Sequence, residues 1–214
     1  MSRYNNRFQR IVKRLLPTRI KEVYQNKIDE ANVAKWILQG KPTPPPHIVK
    51  VKTVEKFQRD TNYSVLVETG TFMGDMILSQ LPNFSRIISI ELSEEFWKNA
   101  KILFQNEPKV ELLQGDSGEI MNQVVNQLNE PAIFWLDGHY SGGDTAKGDK
   151  ISPIYEELKA IFSSSVNHCL LIDDARLFNG TDDYPKIEEL KEFILTNRPN
   201  AKIDVDADTI SVRY

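Results

Sequence analysis

The feature that most constrains this chain is a regular beat that begins near residue 64. Short apolar runs at Ser64–Glu68, Arg86–Leu92, Val110–Gln114, Ala132–Asp137 and His168–Asp173 alternate with helical patterns. The helical patterns lie near Asp75–Leu81, Glu94–Phe104, Glu119–Leu128, Pro153–Phe162 and Lys186–Thr196. Short apolar runs bounded by polar residues read as strands buried on both faces, and strands that alternate with helices form βαβ units. The expected fold is therefore α/β, a doubly wound, mostly parallel sheet covered by helices on both faces. Ser93, just after the second strand, is placed to cap the helix that follows. Lys202–Val205 and Thr209–Arg213, separated by Asp206-Ala-Asp, predict a closing hairpin.

Ahead of this region the pattern differs. Residues 4–16 carry Phe8, Ile11, Val12, Leu15 and Leu16 at helical spacing, and Pro17 ends the pattern. A second helical stretch runs from Ile20 to Leu38, and the run from Gly40 to Pro46, with four prolines, reads as a stiff linker. Ile48–Arg59 predicts a short helix leading into the main domain, so the division is 1–46 for the extension and linker and 47–214 for the domain. The linker holds His47; His168 starts a strand, and both read as structural.

Charge is distributed unevenly. Residues 1–21 hold seven Lys and Arg and no acid, so the rest of the chain carries −10 against a net charge of −3. An acidic body argues against nucleic acid as the main partner. The basic head fits either a helix packed on the acidic body or a peripheral contact of residues 1–21 with an anionic membrane. No apolar run is long enough to span a bilayer, and no apolar segment of signal-peptide type follows the basic residues. A single cysteine, Cys169, cannot form an internal disulfide, which suits a cytoplasmic protein, and its apolar strand makes it a packing residue.

In an open α/β sheet, ligands bind beyond the carboxyl ends of the strands. Here those ends read Glu68-Thr-Gly70-Thr71-Phe-Met-Gly74, Glu91, Gly115-Asp116-Ser117, Asp137-Gly-His139-Tyr140 and Asp173-Asp174. Sheet packing alone does not require acids and glycines at five consecutive strand ends, so the edge reads as functional. Gly70 and Gly74 lie between strand and helix without forming the dinucleotide fingerprint, and Glu68 beside them suits a cationic ligand better than a pyrophosphate. Glu91, 21 residues after Gly70, is placed for ribose hydroxyls, and Asp116 with Ser117 for an adenine edge. The plain alternative is a glycine turn with acids that only cap helices.

Taken together, Glu68-x-Gly70-x-x-x-Gly74, then Glu91, then Gly115-Asp116-Ser117, resemble the successive motifs of class I S-adenosylmethionine-dependent methyltransferases. The resemblance covers about residues 60–214 and implies a seven-stranded sheet with a reversed last strand. It implies that Glu68 and Gly70 line the methionine moiety, Glu91 the ribose, and Asp116 and Ser117 the adenine, with Thr71, Gly74 and Asp137 also at the cofactor and Asp137 also catalytic.

The second half, Phe134-Trp-Leu-Asp137-Gly-His-Tyr140 followed by Leu171-Ile-Asp173-Asp174, is similar to the metal-dependent macrocin O-methyltransferase group of sugar O-methyltransferases. By that resemblance Asp137, Asp173 and Asp174 hold a divalent cation, and carboxylates crowded together favour a hard ion, Mg²⁺ first. The alternative is that Asp174 caps the next turn and Asp137 bonds locally. Where the group often has a second acid as general base, this chain has His139, suited to take a proton near neutral pH. The gly-rich stretch Ser141–Lys150 beside it reads as a mobile loop over substrate, and Phe134 and Trp135 as core. Arg176 fits an anionic acceptor or a neighbouring acid. The expected activity is O-methylation of a hydroxylated small molecule, a sugar or glycoconjugate. Rival readings are a metal-independent methyltransferase of the same fold and a metal-dependent hydrolase or hydroxylase-like protein. Oligomeric state does not follow from the sequence.

Overall fold

A computed structural model describes residues 18–138 and 153–214, the side chains of 18–26 excepted. The basic helix expected over 4–16, the Ser141–Lys150 loop and His139 lie outside the described residues. The described residues form two compact units that divide between Val49 and Lys50.

In the first unit, helix α1 (Thr18–Leu38) ends in a turn closed by Trp36, whose indole donates to Pro42 O at 2.7 Å. The chain then turns at Pro46, whose carbonyl accepts from Val49 N at 2.8 Å. Helix α2 (His47–Thr61) starts there, so His47 is the first residue of a helix rather than part of the linker.

The second unit continues α2 and then alternates: β1 (Val65–Thr69), α3 (Asp75–Gln80), β2 (Arg86–Glu91), α4 (Glu94–Leu103), β3 (Val110–Gln114), α5 (Ser117–Asn126), β4 (Ala132–Leu136), α6 (Ile154–Phe162), β5 (Cys169–Ile172), α7 (Ile187–Asn197), β6 (Lys202–Asp206) and β7 (Thr209–Arg213). Two starts come from side-chain caps. Ser93 Oγ accepts from Phe96 N at 3.3 Å ahead of α4, as the sequence suggests. Asp116 Oδ1 accepts from Gly118 N at 2.8 Å, which starts α5 two residues before the expected Glu119.

The seven strands form one sheet in the order β3-β2-β1-β4-β5-β7-β6. β1 to β5 pair in parallel, and β7 runs antiparallel to both β5 and β6. The reversed strand thus sits between β5 and β6. Ala207 and Asp208 join β6 to β7 with φ of 47° and 66°, two left-handed residues that match the twist of a tight hairpin.

The central strands β1, β4 and β5 are buried along their whole length. Alternate residues Val65, Val67, Phe134, Leu136, Leu170 and Ile172 pack with Met121 and Val124 of α5, Leu158 and Ile161 of α6, and Leu190 and Ile194 of α7. The residues between them, among them Leu66, Ile133, Trp135 and Leu171, are equally buried and face the opposite layer. Each fully buried Leu or Ile contributes about 1.5–3 kcal/mol. Cys169 lies in this core, and burial pushes its thiol up to about 12, consistent with packing and not nucleophilic attack. His168 is structural too: its Nδ1 accepts from Ala132 N at 3.2 Å, and burial depresses it to about 4, so the ring stays neutral. No described helix is long and apolar enough to cross a membrane.

Candidate active site at the carboxyl edge of the sheet

Strand register brings the carboxyl ends level. Thr69 pairs with Ile90 on one side and Leu136 on the other, and Leu136 pairs with Ile172. Beyond these residues Gly70 N donates to Ile90 O at 2.9 Å, Asp137 N to Thr69 O at 3.3 Å, and Asp173 N to Leu136 O at 3.0 Å. Gly70, Glu91, Asp137 and Asp173 therefore stand along one edge. The chain runs outward from β1 through β2 to β3, then returns to place β4 on β1's other side. β1 and β4 flank the topological switch point, where an open α/β sheet forms its ligand crevice.

The turn after β1 is tied to β2 by carboxylate bonds. Glu91 is buried; its Oε2 accepts from Phe72 N at 2.7 Å and its Oε1 from Ser93 N at 2.8 Å. The first bond holds Phe72 at a φ of 47°. Gly70, at φ 84°, leaves room where a Cβ would stand 2.5 Å from Asp137 O, and Gly74 precedes α3 at φ 77°. Thr71 bonds Ser89 Oγ at 2.6 Å, and Ser89 donates to Glu68 Oε2 at 2.6 Å. Burial pushes Glu68 up to about 8, the Ser89 bond opposes this, and the charges of Glu91 and Asp75 add to it.

A second buried acid, Glu157 of α6, ties β1 to β3's end. Ser117 Oγ donates to Glu157 Oε1 at 2.6 Å, and the Thr69 hydroxyl also bonds Glu157 while accepting from Asp137 N at 3.1 Å. Burial pushes Glu157 up to about 7, against the pull of both hydroxyls. Gly138 fits beneath: a Cβ there would lie 2.8 Å from Thr69 Oγ1.

The acids after β4 and β5 converge. Asp137, Asp173 and Asp174 each offer a carboxylate oxygen, and the three oxygens lie within 4.8 Å of one another. Asp174 adopts a left-handed φ of 54°, uncommon for a non-glycine residue, and makes no side-chain cap to the 3₁₀ turn it precedes. Its carboxylate instead accepts from Lys50 Nζ at 3.1 Å and Arg176 Nη1 at 2.7 Å. Lys50 also bonds Asp173 Oδ2, and Arg176 also bonds the buried Asp208. Arg176 therefore pairs with neighbouring acids. Asp173 Oδ1 is buried with no hydrogen-bond partner among the described residues.

The electrostatics follow from the count of charges. Burial raises Asp137 well above the ordinary carboxylate range, and Asp173 adds to the rise. Asp173 is raised by burial too, although Lys50 pulls the other way. Burial works against the Lys50 charge, yet Asp173 and Asp137 outweigh it and hold the ammonium up to about 12. The acids and the lysine shift in the same sense because burial outweighs Lys50's pull on the carboxyls, while the surrounding acids outweigh burial at Lys50.

No protein-family model matches this sequence, and no curated protein matches it either. Solved structures do. An O-methyltransferase from Bacillus cereus in complex with SAH is 18% identical, with 96% of each chain covered and a TM-score of 0.55. An SAH-bound methyltransferase from Podospora anserina is 15% identical over 100% of this chain and 96% of that one, at a TM-score of 0.56. An O-methyltransferase of tomaymycin synthesis from Streptomyces achromogenes, in complex with SAM, is 15% identical over 86% of each, at a TM-score of 0.56. This chain has the Rossmann-like fold of the class I methyltransferases.

Within that fold, Glu68, Gly70, Thr71, Gly74 and Glu91 come together around one turn, and Asp137, Asp173 and Asp174 around one cluster. Asp116 is seen capping α5, and Ser117 bonding Glu157, at the end of β3. His139 lies outside the described residues. Sequence reading overlooked Glu157 and Lys50. Both carried the same signal: Glu157 falls on the apolar stripe Ile154, Leu158, Ile161, and Lys50 on the stripe with Val54 and Phe57. A charge on the buried face of a helix must find a partner inside.

Proposed function

We propose that this protein transfers a methyl group from S-adenosylmethionine to a hydroxyl of a small molecule, a sugar or glycoconjugate, with the help of a divalent cation. The observation that carries this reading is the contact between the two halves of the edge. Gly70 abuts the Asp137 carbonyl, so the glycine turn and the three-acid cluster adjoin at the switch point.

In this reading the backbone at Gly70–Gly74 admits the methionyl part of the cofactor, and Glu68 faces its positive charge. Glu91, already fixed by two backbone amides, presents its remaining lone pairs to the ribose, and Asp116 and Ser117 border the adenine. S-adenosylmethionine supplies the electrophilic methyl. The acid cluster suits a hard cation such as Mg²⁺, because its donors are all carboxylate oxygens and one of them, Asp173 Oδ1, has no hydrogen-bond partner among the described residues. When bound, such an ion acts as a Lewis acid that lowers the pKa of a coordinating hydroxyl. Asp137, Asp173 and Asp174 would hold it, and His139 would take the acceptor proton as general base.

The test is titration calorimetry with S-adenosylhomocysteine, followed by methyl transfer from labelled S-adenosylmethionine to a panel of sugars and glycans, with Mg²⁺ and with EDTA. Absence of nucleoside binding refutes the reading. One observation favours a second reading, a metal-independent methyltransferase: Lys50 already pairs with Asp173 and Asp174. Turnover that persists undiminished in EDTA selects it.

A further inference from the structure

We propose that Lys50 and a divalent cation compete for the Asp137–Asp173–Asp174 cluster, so that Lys50 is a built-in counter-ion which the metal displaces. The inference rests on the metal reading above and adds a residue that sets the affinity and accessibility of the site.

Lys50 enters from α2 and bonds one oxygen of Asp173 and one of Asp174, 123 and 124 residues away in sequence. It thus lies against two of the three acids that would share an ion. Lys50 and Arg176 both reach Asp174, yet Asp173 keeps Oδ1 buried without a hydrogen-bond partner among the described residues, although its side chain is fully inaccessible to solvent. A buried carboxylate oxygen without a donor is costly, so the arrangement retains an unmet demand for positive charge.

A divalent ion meets that demand but cannot simply add to the lysine. It binds oxygens at about 2.0–2.6 Å, which draws the three carboxylates together around one point. The Lys50 ammonium, bonded to the same Asp173 and Asp174, would then face a double positive charge a few ångströms away. The lysine has a way out. Its side chain retains 15% exposure, and its flexible four-carbon stem can carry the ammonium to water while its Cα stays on α2. Arg176 does not move in the same way, because Asp208 anchors its guanidinium and its backbone amide, the latter at 2.8 Å.

The experiment compares Mn²⁺ and Mg²⁺ titrations of the full chain, Lys50→Met and Lys50→Arg by calorimetry, with S-adenosylhomocysteine affinity as the check on folding. Competition predicts that Lys50→Met binds metal at least about tenfold more tightly than the parent, and that Lys50→Arg does not. Equal or weaker binding by Lys50→Met overturns competition and leaves the metal site standing. Binding by none of the three overturns the metal reading, and this inference with it. The unmodified chain gives an independent readout should Lys50→Met fail to fold. Amine-reactive labelling of Lys50, followed by mass spectrometry, should rise on addition of Mn²⁺ in a sample shown to bind it. Labelling that is unchanged or reduced overturns the displacement.

Discussion

Substituting Gly70 by alanine tests how closely the two halves of the site are pressed together. Two costs are separable. At φ 84° an alanine sits in the left-handed region, which costs about 1–2 kcal/mol. The new Cβ would also stand 2.5 Å from Asp137 O and 3.1 Å from its carbonyl carbon, so β4's end must shift, at about 1–3 kcal/mol for overpacking. Together the loss is about 2–5 kcal/mol, a large part of the roughly 5–15 kcal/mol that holds a domain folded. Gly180 supplies the control. It has a similar φ of 87°, but its Cβ would meet only the Lys186 side chain, at 3.0 Å, which can move aside. Gly180→Ala should therefore show the left-handed cost alone. Urea unfolding of both variants gives the difference, expected at about 1–3 kcal/mol, and calorimetry with S-adenosylhomocysteine should show weakened binding by Gly70→Ala only. Equal stability of the two variants, with unchanged ligand affinity, would refute the argument that Gly70 is required by its contact with Asp137.

Three further outcomes follow from the site. Glu91→Ala removes the acceptor for Phe72 N and Ser93 N, each such charge-assisted bond being worth about 1.5–3 kcal/mol, so S-adenosylhomocysteine affinity should fall at least about tenfold in calorimetry. Glu157, raised to about 7 by burial, binds a proton in the folded state that the unfolded chain has already lost above its ordinary value of 4.5. Its contribution is whole below that value and is lost as pH rises through about 7, so Glu157→Gln should flatten the parent's decline over this window by roughly 2–3 kcal/mol in urea midpoints. An identical slope in parent and variant would remove Glu157 from the account. His139→Ala should lower methyl transfer by about 10²–10⁴-fold while nucleoside affinity stays as in the parent, measured by single-turnover kinetics and calorimetry.

The α/β class, five parallel strands and the closing hairpin were legible in the residues themselves, because strands buried on both faces need continuous apolar runs and the hairpin needs its own turn. The strand-end acids were legible for the same reason: Glu91, Asp137 and Asp173 interrupt apolar runs where nothing in the core calls for a charge. Boundaries shifted where a helix found its first acceptor early, the Asp116 carboxylate at the start of α5 and the Pro46 carbonyl at the start of α2. What tertiary structure alone decided is which distant groups share a charge. Lys50 and Asp173 lie 123 residues apart, and Ser117 and Glu157 40 apart, and no local period relates them. Their pairing depends on the order in which strands lie side by side, β3-β2-β1-β4-β5, which is set by how whole layers pack. Sequence marks each buried charge as needing a partner, since an unpaired one is prohibitively costly in a core. Only the packed sheet brings the partner within reach.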